Sequence, residues 1–303
     1  MRKISILLLG ATTIVPIWSS ATWAGVIKPQ IMRTYVSGLG NDNNPCTAAY
    51  PCATFKAALA LTLAGGEIFV LNSADYGPVT INKAVSITSE GAAAGILTTS
   101  GVGITISAAA SDVVNLRGLT LDGANSGSVG IQFVSGKSLT IQKSFVRNFT
   151  NSGISFAPTA TATLFVSDTV VANNASNGIV VSSGSATVQG ALSRVNASGN
   201  GVGILASGAG VSLAVADTVA SNNGYGIGAS SSAVTVRNLM ASANSVGIAA
   251  DQSTAIVGVA QSTITGNNTG WQATNGAQVQ SYGNNNVGGN ANDGTATTTL
   301  ALE

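Results

Sequence analysis

Charged residues make up only 8 % of the 303 positions and aromatic residues 5 %, where an ordinary globular protein carries about 25 % charge. A net charge of +1, with no basic run beyond Arg2 and Lys3, excludes the electrostatic footprint that binding a nucleic-acid backbone requires. The surface must therefore be covered by hydroxyls, amides and small side chains, and internal repetition rather than length decides the number of domains.

The chain opens with Arg2 and Lys3, an apolar run, and the stretch ATWA ending at Ala24. This is the layout of a secretory signal over residues 1–24, with the mature protein secreted or periplasmic. Pro16 interrupts the apolar run and speaks against a retained anchor, and the next apolar stretch, from Ala57 to Gly66, is too short to span a bilayer. The mature chain is expected to carry no membrane span.

Residues 25–72 are expected to form an N-terminal cap. Cys46 and Cys52 lie in NNPCTAAYPC, and an even pair in an exported chain most simply forms one local disulfide. The chain has no histidine and no third thiol to complete a tetrahedral zinc site. A short amphipathic helix is predicted over Thr54–Ala64, ended by Gly65-Gly66 and followed by the strand Glu67–Leu71.

Over residues 73–290 one unit recurs. Glycines at 130, 153, 178, 203, 226, 247 and 270 each precede an apolar residue, at intervals of 21 to 25 positions. Such a period is the signature of a solenoid. The apolar residue is Ile131, Ile154, Ile179, Ile204, Ile227, Ile248 and finally Trp271, and two positions on stand Phe133, Phe156, Val181, Ala206, Ala229, Ala250 and Ala273. Side chains two apart share a strand face, so both series point inward, and Trp271 reads as a closing core residue.

A second alternating pair follows in each unit: Val114/Leu116, Leu139/Ile141, Leu164/Val166, Ala186/Val188, Leu213/Val215, Val234/Val236 and Val257/Val259. For the third strand the parity is open, since Phe145 and Val170 compete with Val146 and Val171 for the interior. Asparagines at 148, 173, 196, 222, 244 and 267 then mark a corner where stacked side-chain amides can form a ladder.

These features predict an all-β, single-stranded right-handed parallel β-helix with a short N-terminal capping helix. The isoleucine ladder should rise by about 4.8 Å per coil, each buried Ile contributing roughly 1.5 to 3 kcal/mol. The preceding glycine is expected to give the chain room to turn into the strand. Residues 291–303 read as a tail draped over the last coil.

The stretches TYVSGLGNDNNPCTAAYPCATFKAAL and YGPVTINKAVSIT, followed by the Gly-Ile coils to about Asn290, resemble the pectate-lyase-like superfamily of secreted bacterial β-helix repeat proteins. The resemblance covers nearly all of the mature chain, and its motifs are structural. Those motifs define the scaffold and imply no reaction, as in the many repeat proteins of undefined activity that the chain resembles; members that act on acidic polysaccharide are lyases with calcium-binding carboxylates beside an Arg or Lys base, hydrolases with paired Asp, His and Arg-x-Lys, or esterases with two Asp and an Arg. This sequence departs from each. It has no His, no Arg-x-Lys and no Asp-Asp pair.

The sparse charges can be placed by coil. One column reads Asp122, Arg147, Ala172 and Arg194, and another reads Gly118, Lys143, Asp168, Gly190 and Asp217. Asp122, Arg147, Lys143 and Asp168 thus mark the only place where acid and base could cooperate in catalysis, and exposed cross-strand ion pairs are the favoured reading of them. Glycoside hydrolysis needs two opposed carboxyl groups. Calcium, the one cofactor implied and only for a lyase, needs six to eight oxygens.

Outward positions after the column Ile read Gln132, Ser155, Val180, Leu205, Gly228, Ala249 and Gln272, too irregular for an ice-binding array. The leading reading is a non-catalytic exported β-helix that binds glycan or a cell-surface partner along an amide- and hydroxyl-rich flank. A polysaccharide lyase or hydrolase using the four charged residues stands beside it. A structural or assembly protein is the third reading, with the oligomeric state left open.

Overall fold

The computed structural model describes residues 29–301, so the expected secretory signal at 1–24 lies outside the described residues. The strands form a parallel β-solenoid with a nine-stranded sheet on one side and a twenty-stranded sheet wrapped around the rest. In the nine-stranded sheet each coil adds one strand. Ile104, Ile131, Ile154, Ile179, Ile204, Ile227, Ile248 and Trp271 pair in continuous register. All seven isoleucines are fully buried and Trp271 nearly so.

The second inward column tapers as the sequence implies. Phe133 and Phe156 stack with centroids 4.4 Å apart, and Val181, Ala206, Ala229, Ala250 and Ala273 follow in register. In the third strand Val146 and Val171 take the interior, while Phe145 and Val170 stay half-buried.

Four expectations need correction. The helix spans Phe55–Leu61 with Thr54 as its N-cap, stopping short of Ala64. Thr62 already belongs to the strand Thr62–Val70, and its hydroxyl is shared between the Ala58 carbonyl at 2.8 Å and the Thr34 hydroxyl at 2.8 Å. Gly65 and Gly66 therefore lie inside a strand. A side chain on Gly66 would collide with the Met32 carbonyl.

The second correction concerns the glycines before the column isoleucines. Gly178 and Gly203 do not have the positive φ of a turn residue. A Cβ on Gly178 would sit 2.5 Å from the Gly203 carbonyl and 3.0 Å from the Asn200 amide. Contact between coils, not backbone freedom, demands glycine here.

The third concerns the amide ladder. It is formed by Asn174, Asn200, Asn223, Asn244, Asn267 and Asn290, each Oδ1 accepting from the backbone N–H of the preceding member and, at Asn174, from that of Phe149. Asn148, Asn173 and Asn222 sit one position earlier with φ of 60°, 55° and 55°, and Asn196 lies in the strand Asn196–Ser198. Of the expected set only Asn244 and Asn267 are ladder members.

The fourth is a register slip in one coil. Leu164 and Val166 stack on Gly190 and Leu192, not on Ala186 and Val188. Gly190 leaves a gap in the column that Leu213 of the next coil fills, since a Cβ on Gly190 would meet Leu213 Cδ1 at 2.6 Å.

At the N-terminal end the Cys46–Cys52 disulfide, with Cα atoms 4.7 Å apart, closes a loop against the first strand. The Cys46 carbonyl accepts from Tyr35 N–H, and Cys52 N–H donates to the Tyr35 carbonyl. At the other end Thr298–Thr299 pairs in parallel with Gln280–Ser281, which covers part of that strand's edge.

Candidate functional site

The four charged candidates do not converge. Arg147 stacks on Asp122 in register, with its Nε 2.8 Å from Asp122 Oδ2. Asp122 Oδ1 accepts from the Ala124 N–H at 2.9 Å and from the Asn148 amide at 3.0 Å. Partial burial pushes this carboxyl upward, but Ala124, Asn148 and Arg147 together hold it below the ordinary carboxylate value.

Asp168 and Lys143 belong to a different column, at a corner where Lys143, Asp168, Arg194 and Asp217 all have φ near 50°. Arg194 stands here, with Ser198 replacing it in the Asp122 column, as the shifted register requires. Arg194 grips Asp168 through two bonds of 2.6 and 2.9 Å, and this pairing, aided more distantly by Lys143, lowers the Asp168 carboxyl. Each carboxylate is thus neutralised by its own arginine, the arrangement of an exposed ion-pair ladder.

Neither carboxylate is raised as a general acid would be. Among the described residues no three His, Cys, Asp or Glu side chains come together to hold a metal ion. The donor set therefore does not fit the calcium that a lyase reading implies.

A different place has the shape of a binding site. On the outer face of the nine-stranded sheet, the strands Val202–Ser207, Tyr225–Ser230, Val246–Asp251 and Thr269–Thr274 border a groove of about 560 Å³, within the usual size range for small-ligand sites. Its floor exists by subtraction. The outward column carries Leu205, then Gly228 and Ala249, then Gln272, and the two small residues leave a hollow between larger ones.

Leu205 leans toward the hollow, its Cδ1 lying 3.1 Å from where a Gly228 Cβ would stand. Tyr225, 44 % exposed, adds an aromatic ring beside it. Opposite, Ser230, Asp251 and Thr274 occupy one register column at the strand ends, with Asn275 following in the turn. Asp251 Oδ1 accepts from the Thr274 hydroxyl at 2.8 Å and the Asn275 amide at 2.7 Å, and Oδ2 from Gln252 at 3.3 Å. These neutral donors, Thr274 first, hold its carboxyl below the ordinary range.

The groove thus combines an apolar side, an aromatic ring and a hydrogen-bonding rim. Sequence reasoning named the outward column but missed Asp251. The one available signal was the fall from Leu205 to Gly228 and Ala249 in an outward column.

No protein-family model matches the chain, and no curated protein sequence matches it. Solved structures do. A pectate lyase, Pel9A, superposes with a TM-score of 0.62 at 13 % identity, over 83 % of this chain and 74 % of that one. The structure of XylC in complex with xylose gives a TM-score of 0.62 at 9 % identity, over 82 % and 68 %. The architecture is that of the pectate-lyase-like right-handed β-helices. At these identities the likeness defines the scaffold, and one scaffold serves many sites.

Proposed function

We propose that this protein is an exported, non-catalytic β-helix that binds glycan in the groove between Leu205 and Gln272. The observation that carries the reading is the juxtaposition of Tyr225 and Leu205 with the polar rim of Asp251, Thr274 and Asn275 across a floor of Gly228 and Ala249. A sugar ring presents one apolar face and a girdle of hydroxyls, and this surface offers a partner to each. The disulfide agrees with an oxidising, extracellular setting, and the fold is shared with a pectate lyase and with XylC, whose structure holds xylose.

The test is a glycan array followed by titration calorimetry on the leading hits. Tyr225→Ala should weaken binding by at least about fivefold, as loss of a central aromatic anchor does. Asp122→Ala and chelation should leave it unchanged. Release of unsaturated or reducing sugar ends, lost in Arg147→Ala, would overturn the non-catalytic reading in favour of a lyase or hydrolase on the Asp122 face. Failure to retain any glycan would overturn the binding reading.

A further inference from the structure

The charge pattern of the groove narrows the ligand class, an argument that rests on the glycan-binding reading above. Glu67, Glu90, Asp122 and Asp168 each pair with an arginine at 2.6 to 2.8 Å. Among the described residues Asp251, like Asp75, Asp112, Asp217 and Asp293, pairs with no cation, but of these it alone lines the groove. Its donors are the Thr274 hydroxyl, the Asn275 and Gln252 side-chain amides and the Gln252 backbone N–H. Such donors stabilise a carboxylate without cancelling its charge. No Lys or Arg lines the groove, so the hollow carries one uncompensated negative charge at its polar end and an aromatic ring at its apolar side.

Acceptor capacity is also left over. Oδ1 receives the two short bonds, whereas the side-chain bond to Oδ2 is the long one from Gln252 at 3.3 Å, and an ionised carboxylate accepts about four. We infer that the groove takes an amino sugar, a hexosamine unit whose free ammonium donates to Asp251 while its apolar ring face packs on Tyr225 and Leu205. A uronic acid in the same place would set carboxylate against carboxylate with no arginine to separate them, so acidic glycans are excluded from this groove.

The experiment is calorimetry of the full chain at low and moderate salt with three probes: glucosamine oligomers, the same oligomers N-acetylated, and galacturonate oligomers. The free-amine oligomer should bind at least about tenfold more tightly than the acetylated one, the difference a charge-assisted hydrogen bond supplies. Its affinity should fall with added salt. Asp251→Asn, which keeps the shape and an acceptor for Thr274, should remove most of that preference, and galacturonate should not compete.

Equal binding of the two amine forms, with Tyr225→Ala still abolishing it, would overturn the amino-sugar assignment and leave the glycan groove standing. Preference for galacturonate would overturn the assignment and move the site to another face if Tyr225→Ala has no effect. Absence of binding by any probe or array glycan would overturn both.

Discussion

Asn223→Ala should be among the most damaging single changes in the molecule. The side chain is buried and makes four hydrogen bonds. Oδ1 accepts from the Asn200 N–H at 2.9 Å and the Asn200 amide at 3.1 Å, and Nδ2 donates to the Ala197 carbonyl at 3.0 Å and to Asn244 Oδ1 at 3.1 Å. Truncation strands the buried Asn200 N–H and weakens the neighbours on both sides. An orphaned buried group costs about 1 to 3 kcal/mol, so a total of roughly 2 to 5 kcal/mol follows once partial relaxation is allowed. The control is Asn222→Gly, one residue earlier. Asn222 is exposed with φ of 55°, a conformation glycine adopts freely, so that change should stay within about 0.5 kcal/mol. Urea unfolding followed by circular dichroism measures both, and amide exchange at Asn200 reports the local opening. If Asn222→Gly lowers the midpoint as much as Asn223→Ala, or if the Asn200 amide exchanges at its original rate in the Ala variant, the ladder assignment is wrong.

Two further outcomes follow from the same stacking. Ile179→Ala, at a fully buried site between Ile154 and Ile204, should cost about 2 to 5 kcal/mol, with faster amide exchange in both adjoining strands and none near Val257; protection lost uniformly along the solenoid would contradict nearest-neighbour coupling. Asp122, held below its ordinary value of 3.8 by Ala124, Asn148 and Arg147 against the opposing effect of burial, contributes stability that is complete above that value and lost as pH falls through its lower folded value. Asp122→Asn should therefore flatten the acid end of the Tm–pH profile, and a profile unchanged below 3.8 would show that the pairing does not stabilise the fold.

The interior of the solenoid was legible because inward positions are constrained from two sides. Ile154 must fit both Ile131 and Ile179, so residue type recurs at each coil and the period can be read directly. At Asn173 and Asn222 the expected corner lies one residue before the ladder for a physical reason. Two successive positions accept asparagine there, one because Asn tolerates positive φ, as at Asn173 and Asn222, the next because a buried amide must reach the following coil, as at Asn174 and Asn223. In Asn173-Asn174 and Asn222-Asn223 both roles are filled by the same residue type, and nothing in one chain separates them. The slip to Ala186 and Val188 has a comparable origin. Gly190 contributes no side chain to the column, because Leu213 reaches across from the next coil, and a pattern built from apolar pairs passes over a glycine.

The candidate site was hidden because it depends on what is missing from an outward column. Inward, replacing Phe156 by Val181 and then Ala206 merely narrows a filled core. Outward, where solvent rather than a neighbour fills the space, the step from Leu205 to Gly228 and Ala249 opens a hollow, and Gln272 closes its far side. The same logic separates the two sets of carboxylates. Asp122 and Asp168 lie where the next coil offers Arg147 and Arg194 one strand spacing away, so stacking itself neutralises them. Asp251 receives Thr274 and Asn275 from the next coil instead, which orient the carboxylate and leave its charge for something outside the chain. In a solenoid the residue one coil onward decides whether a surface group is spent on the scaffold or remains available to a ligand, and at Asp251 it remains available.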